Sequence, residues 1–115
     1  MSQTIYKILS DAVWRDAEKS GVFLGSEVDI TDGFIHFSTA DQVRETAAKH
    51  FSGQKGLLLL AVDSSALGEL LKYEPSRDGA LFPHLYDKLD RSSVKWVRPL
   101  PIGDDGMHIF QKLEP

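Results

Sequence analysis

Two short blocks collect the side chains able to do chemistry. In Gly33-Phe34-Ile35-His36-Phe37-Ser38-Thr39 an imidazole and a hydroxyl stand two residues apart. Alternate residues of a strand share a face, so Ile35 and Phe37 turn to the core while Phe34, His36 and Ser38 turn away from it. His36 and Ser38 then make the polar wall of a cleft. A helix opening at Thr39 adds free N–H groups and partial positive charge, which suit a phosphate. The competing reading is a structural histidine, hydrogen-bonded in the core. In Phe82-Pro83-His84-Leu85-Tyr86 an extended backbone puts Phe82, His84 and Tyr86 on one face. That combination of stacking area and hydrogen-bonding tips suits a ring-bearing ligand. It equally suits an edge strand of amphipathic side chains protected by Pro83.

Three further positions qualify. Glu74, just before Pro75, is a carboxylate for a pocket rim or else a solvated surface residue. Lys7 is an anion ligand or a solvated strand lysine, and Tyr6 stands beside it. His50 and His108 stand alone. Four histidines without H-x-H or H-E-x-x-H spacing predict no metal site, although His36, His84 and a carboxylate can converge in space. No dinucleotide-binding glycine fingerprint, P-loop or nucleophile elbow is present, so those chemistries have nothing to rest on.

The chain around these residues has 115 amino acids, with 42% hydrophobic and 26% charged. That is enough for one folded domain, residues 1–115, and too little for two cores. There are no cysteines, which excludes disulfides, thiolate metal sites and a cysteine nucleophile. The longest apolar run, Leu57 to Val62, has six residues, against about 20 for a membrane-spanning helix. Met1 to Leu9 lacks the apolar region of a secretory signal, so a cytoplasmic protein with no membrane partner is expected. Seventeen acidic residues against thirteen basic ones give a formal charge of −4. A nucleic-acid partner, which demands phosphate neutralisation, is disfavoured.

The pattern predicts an α+β domain in which two main helices cover a twisted antiparallel or mixed sheet. Thr4 to Leu9 reads as a first strand. Ser10 or Asp11 caps a helix with Val13, Trp14 and Ala17 on its apolar face, and Gly21 stops it. Val22 to Ile30 reads as short extended pieces, and Asp32-Gly33 as a turn. Thr39 and Gln42 match a capping box for a second helix carrying Val43, Ala47 and Phe51. Leu57 to Val62 reads as a strand covered on both faces. Asp63 caps a short helix over Ser64 to Leu71, and Lys72 to Glu74 is a short strand. Clusters at Glu74 to Gly79 and Pro99 to Gly106 read as loops. Leu81 to Tyr86, Val94 to Arg98 and Met107 to Leu113 read as extended.

I-Y-K-I at Ile5 to Ile8, G-F-I-H-F-S at Gly33 to Ser38, L-L-L-A-V-D at Leu58 to Asp63, Y-E-P at Tyr73 to Pro75 and F-P-H-L-Y at Phe82 to Tyr86 occur in that order. The set resembles the bacterial domain-of-unknown-function family number 952, over roughly Ile5 to Pro101. That family is similar in fold to the ADP-ribosyltransferase superfamily. The resemblance implies a cleft between two small β-sheets and NAD, or another nucleotide, as ligand or substrate. It implies His36, Ser38, Glu74 and His84 as catalytic residues, with Tyr6, Lys7, Thr39, Phe82 and Tyr86 binding the ligand. Glu74 would stabilise the positive charge that develops when a nicotinamide–ribose bond breaks. Two alternatives stand beside this: a non-catalytic small-ligand or protein-interaction module, and a hydrolase using His36 and His84 as acid and base. An RNA 2′-phosphate transferase, also implied by the superfamily, sits poorly with the acidic charge.

Overall fold

Threonine, isoleucine and tyrosine favour extended backbone, and Thr4–Ser10 forms β1 at the centre of the molecule. Every residue from Thr4 to Leu9 is buried. The computed structural model describes residues 3–76 and 79–115. The Ser10 hydroxyl accepts the Val13 N–H and caps α1 (Asp11–Ser20), which ends at Gly21 with φ +87°. Trp14 and Ala17 of α1 are buried, whereas Val13, expected beside them, lies on the exposed side.

The remaining elements are β2 (Val22–Phe23), α2 (Glu27–Asp32), β3 (Ile35–His36), β4 (Ser38–Thr39), α3 (Val43–His50), β5 (Leu57–Asp63), β6 (Leu71–Pro75), β7 (Leu81–Leu85), β8 (Leu89–Asp90) and β9 (Val94–Leu100). They build a four-stranded sheet of order β4-β1-β5-β9, a three-stranded sheet of order β3-β7-β6, and the pair β2-β8. Every strand pairing among the described residues is antiparallel. No helix among them is long and apolar enough to cross a membrane.

The four-stranded sheet is covered on both faces, as the unbroken apolar run of β5 predicts. Ile5, Leu9, Leu60 and Val62 pack on one side with Trp14, Phe23, Ile35, Phe37, Leu85 and Leu89. Tyr6, Ile8, Leu59 and Ala61 pack on the other with Val43, Ala47 and Leu100. The first core lies between the two larger sheets. Lys7 belongs to its side of β1, because it alternates with Ile5 and Leu9.

Several expectations need correction. There are three α-helices among the described residues, not two, because part of Val22–Ile30 forms α2 rather than extended chain. The Asp29 carboxylate reaches back to the Ser26 N–H at 2.8 Å, a start signal placed inside an apparently irregular stretch. The helix expected from Thr39 begins at Val43. Thr39 is held in the β ladder opposite Ile5, so its backbone cannot take up helical geometry there. Half of the predicted capping box still forms, with Gln42 Oε1 accepting the Thr39 N–H at 3.0 Å. The helix expected over Ser64–Leu71 is two 3₁₀ turns, Ser64–Ala66 and Gly68–Leu70, the first capped by Asp63. Gly68 opens the second with φ +68°, outside the right-handed helical region.

Met107–Leu113 forms no strand of a sheet. A single bridge pairs Ile102 with His108, while Phe110 and Leu113 pack on the second core. The segment crosses the face of the sheet and so does not extend its edge. Within the predicted loop Glu74–Gly79, Arg77 and Asp78 lie outside the described residues, as do Met1 and Ser2 of the N-terminal stretch.

Candidate functional site

The three-stranded sheet brings the two histidine blocks together. His36 of β3 lies opposite His84 of β7, and His84 lies opposite Lys72 of β6. Paired residues in an antiparallel ladder share a face, so these side chains emerge side by side. The two imidazole centroids are 5.5 Å apart with rings near edge-on. Phe34, in the link between Gly33 and β3, stacks on His84 at 4.1 Å and also touches His36 and Tyr86.

The histidines have different carboxylate partners. Glu74 stands diagonally across β6 from His84, and its Oε1 meets His84 Nδ1 at 2.9 Å. The same oxygen accepts the Tyr86 hydroxyl at 2.7 Å. The hydrogen bond from Tyr86, followed by that from His84, holds the Glu74 carboxyl below its ordinary range. Donating this bond leaves Tyr86 harder to ionise, so its hydroxyl is raised. Among the described residues neither Glu74 Oε2 nor His84 Nε2 has a hydrogen-bond partner. A carboxylate on Nδ1 fixes the ring orientation and turns Nε2 into the working atom.

His36 belongs to a second, deeper network. Its Nδ1 lies 2.6 Å from Asp29 Oδ1, and its Nε2 lies 3.0 Å from Asp32 Oδ2. Asp29, 2% exposed, also accepts the His36 N–H at 3.1 Å, the Ser26 N–H at 2.8 Å, and Lys7 Nζ at 3.0 Å on one oxygen and 2.9 Å on the other. Burial opposes ionisation of this carboxyl. The His36 hydrogen bond, the Lys7 charge and bond, and the Ser26 N–H outweigh it, holding Asp29 well below the usual carboxylate range. Burial pulls the Lys7 ammonium down, and Asp29 partly restores it.

A family model described as "Protein of unknown function (DUF952)" matches residues 8–97. The chain belongs to the DUF952 family. It is similar to the X-ray crystal structure of protein CC0527 from Caulobacter crescentus, with 53% identity over 92% of this chain and 93% of that one, and a TM-score of 0.89. The solution NMR structure of CC0527 is 54% identical over 90% of each chain, with a TM-score of 0.83. Both are structural genomics targets. No curated protein matches.

In this DUF952 chain the residues singled out from sequence divide by face. His36, Glu74, His84 and Tyr86 come together, with Phe82 beside them on β7 opposite Glu74. Lys7 reaches the same side of the four-stranded sheet, but its ammonium is held by Asp29. Ser38 lies opposite Tyr6, on the face bearing the second core, and its hydroxyl meets that of Thr46 at 2.9 Å. Tyr6 donates to the Glu114 carbonyl at 2.8 Å. Thr39 is fixed by Ile5 and Gln42. Among the described residues no hydrogen bond or ring contact joins Ser38, Tyr6 or Thr39 to either histidine.

Sequence reasoning missed Asp29 and Asp32. Asp29 was detectable as the partner of Ser26 in an S-x-x-D start signal. Asp32 precedes His36 by four residues, but a helix end and a turn intervene, so no simple periodicity links them. Two cavities lie elsewhere. One of about 150 Å³ is lined by Arg44, Ala47, Met107, His108 and Phe110 among others, and one of about 250 Å³ by α1 and Val22–Gly25. Among the described residues no group of three or more histidine, aspartate or glutamate side chains is arranged to hold a metal ion.

Proposed function

We propose that this DUF952 protein is a cytoplasmic protein that binds a nucleotide-type ligand across the face formed by His84, Glu74 and Tyr86, and that Glu74 supports ADP-ribosyl-transfer-like chemistry on an NAD-type substrate. The single supporting observation is Glu74 itself. One carboxylate oxygen is tied to Tyr86 and His84, and the other has no partner among the described residues. A carboxyl held below its ordinary range stays ionised near neutral pH, which suits charge stabilisation and not proton donation. In the step proposed, the ribose C1′–nicotinamide nitrogen bond breaks and its electron pair leaves with the nicotinamide. Positive charge grows on C1′ facing Glu74, and an acceptor nucleophile then forms the new bond to C1′ and loses its proton. Tyr86 and His84 orient the carboxylate, and their rings supply stacking area for a ligand ring.

Lys7, His36 and Asp29 support the face from below. Ser38, Tyr6 and Thr39 take no part in this version of the site, because they serve the opposite face or the ladder. Calorimetric titration with NAD and ADP-ribose, read together with His84 imidazole signals in NMR, tests the proposal. Binding heat with perturbed His84 signals is the expected result. Absence of both overturns it. Binding without release of nicotinamide would leave a ligand module in place of an enzyme.

One observation favours a second reading. A Glu–His pair with Nε2 unpartnered is the arrangement of a general base. On this reading His84 removes a proton from water or from a substrate hydroxyl, and Glu74 stabilises the imidazolium. His36 makes a poor partner base, because both its nitrogens already face carboxylates. A pH–rate profile lost in His84→Ala but kept in Ser38→Ala separates this chemistry from ribose transfer.

A further inference from the structure

We infer that Phe34 is a gate over His84, and that a planar ring of the ligand takes the place its side chain now occupies. The inference rests on the ligand reading above and adds the residue that controls entry. Four observations carry it. His84 is 5% exposed although it lies on the face proposed to bind ligand. Its ring is stacked under Phe34, with centroids 4.1 Å apart and planes 28° from parallel. Phe34 also lies 5.2 Å from the Tyr86 ring, so the three aromatic groups occupy the space that a ligand ring would need. Phe34 itself is half-buried and belongs to neither α2 nor β3.

The chain on either side of Phe34 suits a moving part. Gly33 precedes it in the left-handed region, φ +89°, with no heavy atom beyond its chain neighbours within 4 Å of where a Cβ would stand. One backbone bond, from the Phe34 N–H to the Asp29 carbonyl at 3.2 Å, holds its main chain. Ile35, which follows, is locked in the ladder opposite Leu85 and packed in the first core. Motion is thereby confined to Phe34, while His36 and His84 keep their positions. Opening breaks the stack on His84 and the tilted contacts with His36 and Tyr86, and a ligand ring in the same place restores them. The open state is therefore a minor population that the ligand selects.

Acylation by diethyl pyrocarbonate, followed by mass spectrometry of the histidine-bearing peptides, tests the gate without any ligand. In the wild-type protein His84 reacts slowly relative to exposed His50. Phe34→Ala is expected to speed acylation of His84 by up to about tenfold, the factor set by losing one aromatic stack, with His50 and His108 unchanged. Phe34→Tyr keeps the flat ring and the protection. Phe34→Leu keeps apolar bulk without a flat ring and falls between, which preserves the test if Phe34→Ala does not fold. Equal His84 rates in the tyrosine and leucine variants overturn the gate. NMR titration with NAD then tests displacement. Affinity should rise in Phe34→Ala by about the same factor, because the apparent dissociation constant falls as the open fraction grows. Weaker binding in that variant shows that Phe34 is a fixed wall and overturns the proposal. Faster acylation with no NAD binding in either protein leaves the gate standing and removes the nucleotide reading.

Discussion

Two carboxylate–imidazole pairs sit side by side across β3 and β7, and they are built differently. Around Asp29 every partner is spoken for. Two backbone N–H groups, the Lys7 ammonium and the His36 ring converge on two oxygens that are nearly sealed from water. Around Glu74 one oxygen takes two hydrogen bonds and the other takes none from the described residues, at a side chain 36% exposed. A buried charge demands full satisfaction, because each missing partner leaves a desolvated group uncompensated. A half-exposed carboxylate carries no such demand and can keep an oxygen for a ligand. Saturation suits the first pair to a framework, and the open valence is the ground on which we propose the second as the site.

The contrast breaks if the two carboxylates respond alike to removal. Asp29→Ala strands Lys7 in the interior and releases α2 from β3. Breaking a buried ion pair typically costs about 3–5 kcal/mol, and a loss of that order is expected in urea unfolding of this variant. Glu74→Ala should leave the midpoint near wild type. Similar losses in both would show that the Glu74 group is structural.

The pH dependence of folding follows from the same difference. The Asp29 carboxyl is held well below its ordinary value in the folded chain. The stability it contributes is therefore present above about pH 4, the unfolded carboxylate value, and is lost as pH falls toward the folded one. Urea midpoints measured from pH 6 downward should fall in the wild type. Asp29→Asn starts lower and has a shallower acid limb. An unchanged acid limb in that variant would assign acid sensitivity to other carboxylates.

The sequence disclosed these two networks unequally, and the reason is physical. Alternation within F-I-H-F-S and F-P-H-L-Y placed the histidines away from the first core, and β3–β7 register brings them opposite each other. Ser38 follows the same alternation on paper, but the chain leaves the three-stranded sheet at Phe37 and enters the four-stranded one. Ser38 thus pairs with Tyr6 and faces the second core. Tyr6 and Lys7 read as neighbours, yet adjacent strand residues point to opposite faces, and only Lys7 approaches His36. Asp29 was legible only as the partner of Ser26 at a helix start, because its other partners come from β1 and β3. Only the fold assembles them. The sequence left Glu74 as either a rim carboxylate or a solvated surface residue, because its bonds to Tyr86 and His84 depend on β6–β7 pairing.

The link between the two networks can be loosened by a smaller change. Gly33 joins α2, which carries Asp29 and Asp32, to Phe34 and His36. Its φ of +89° disfavours any residue with a Cβ. Gly33→Ala meets no atom beyond its chain neighbours within 4 Å, so the cost is backbone strain, about 1–2 kcal/mol. Thermal unfolding should register a modest fall. A loss as large as that of Asp29→Ala would mean that the link, and not the carboxylate, holds α2 in place.

Glu74→Gln makes the smallest change of all, exchanging one oxygen for an amide nitrogen at a half-exposed position. Folding should be unaltered by urea, and the His84 ring should stay under Phe34, because the new side chain can still accept from Tyr86 through its amide carbonyl. The negative charge disappears, and with it any stabilisation of a developing cation. If Glu74 supports ribose transfer, nicotinamide release from NAD collapses while calorimetric affinity for NAD survives. That split assigns the charge to the transition state and not to the bound ligand. If the protein only binds, affinity survives and no turnover exists to lose. Loss of binding together with an intact fold would instead make Glu74 a ligand anchor. The open oxygen would then be the contact, and the Glu74 network would differ from that of Asp29 in having its last partner supplied from outside.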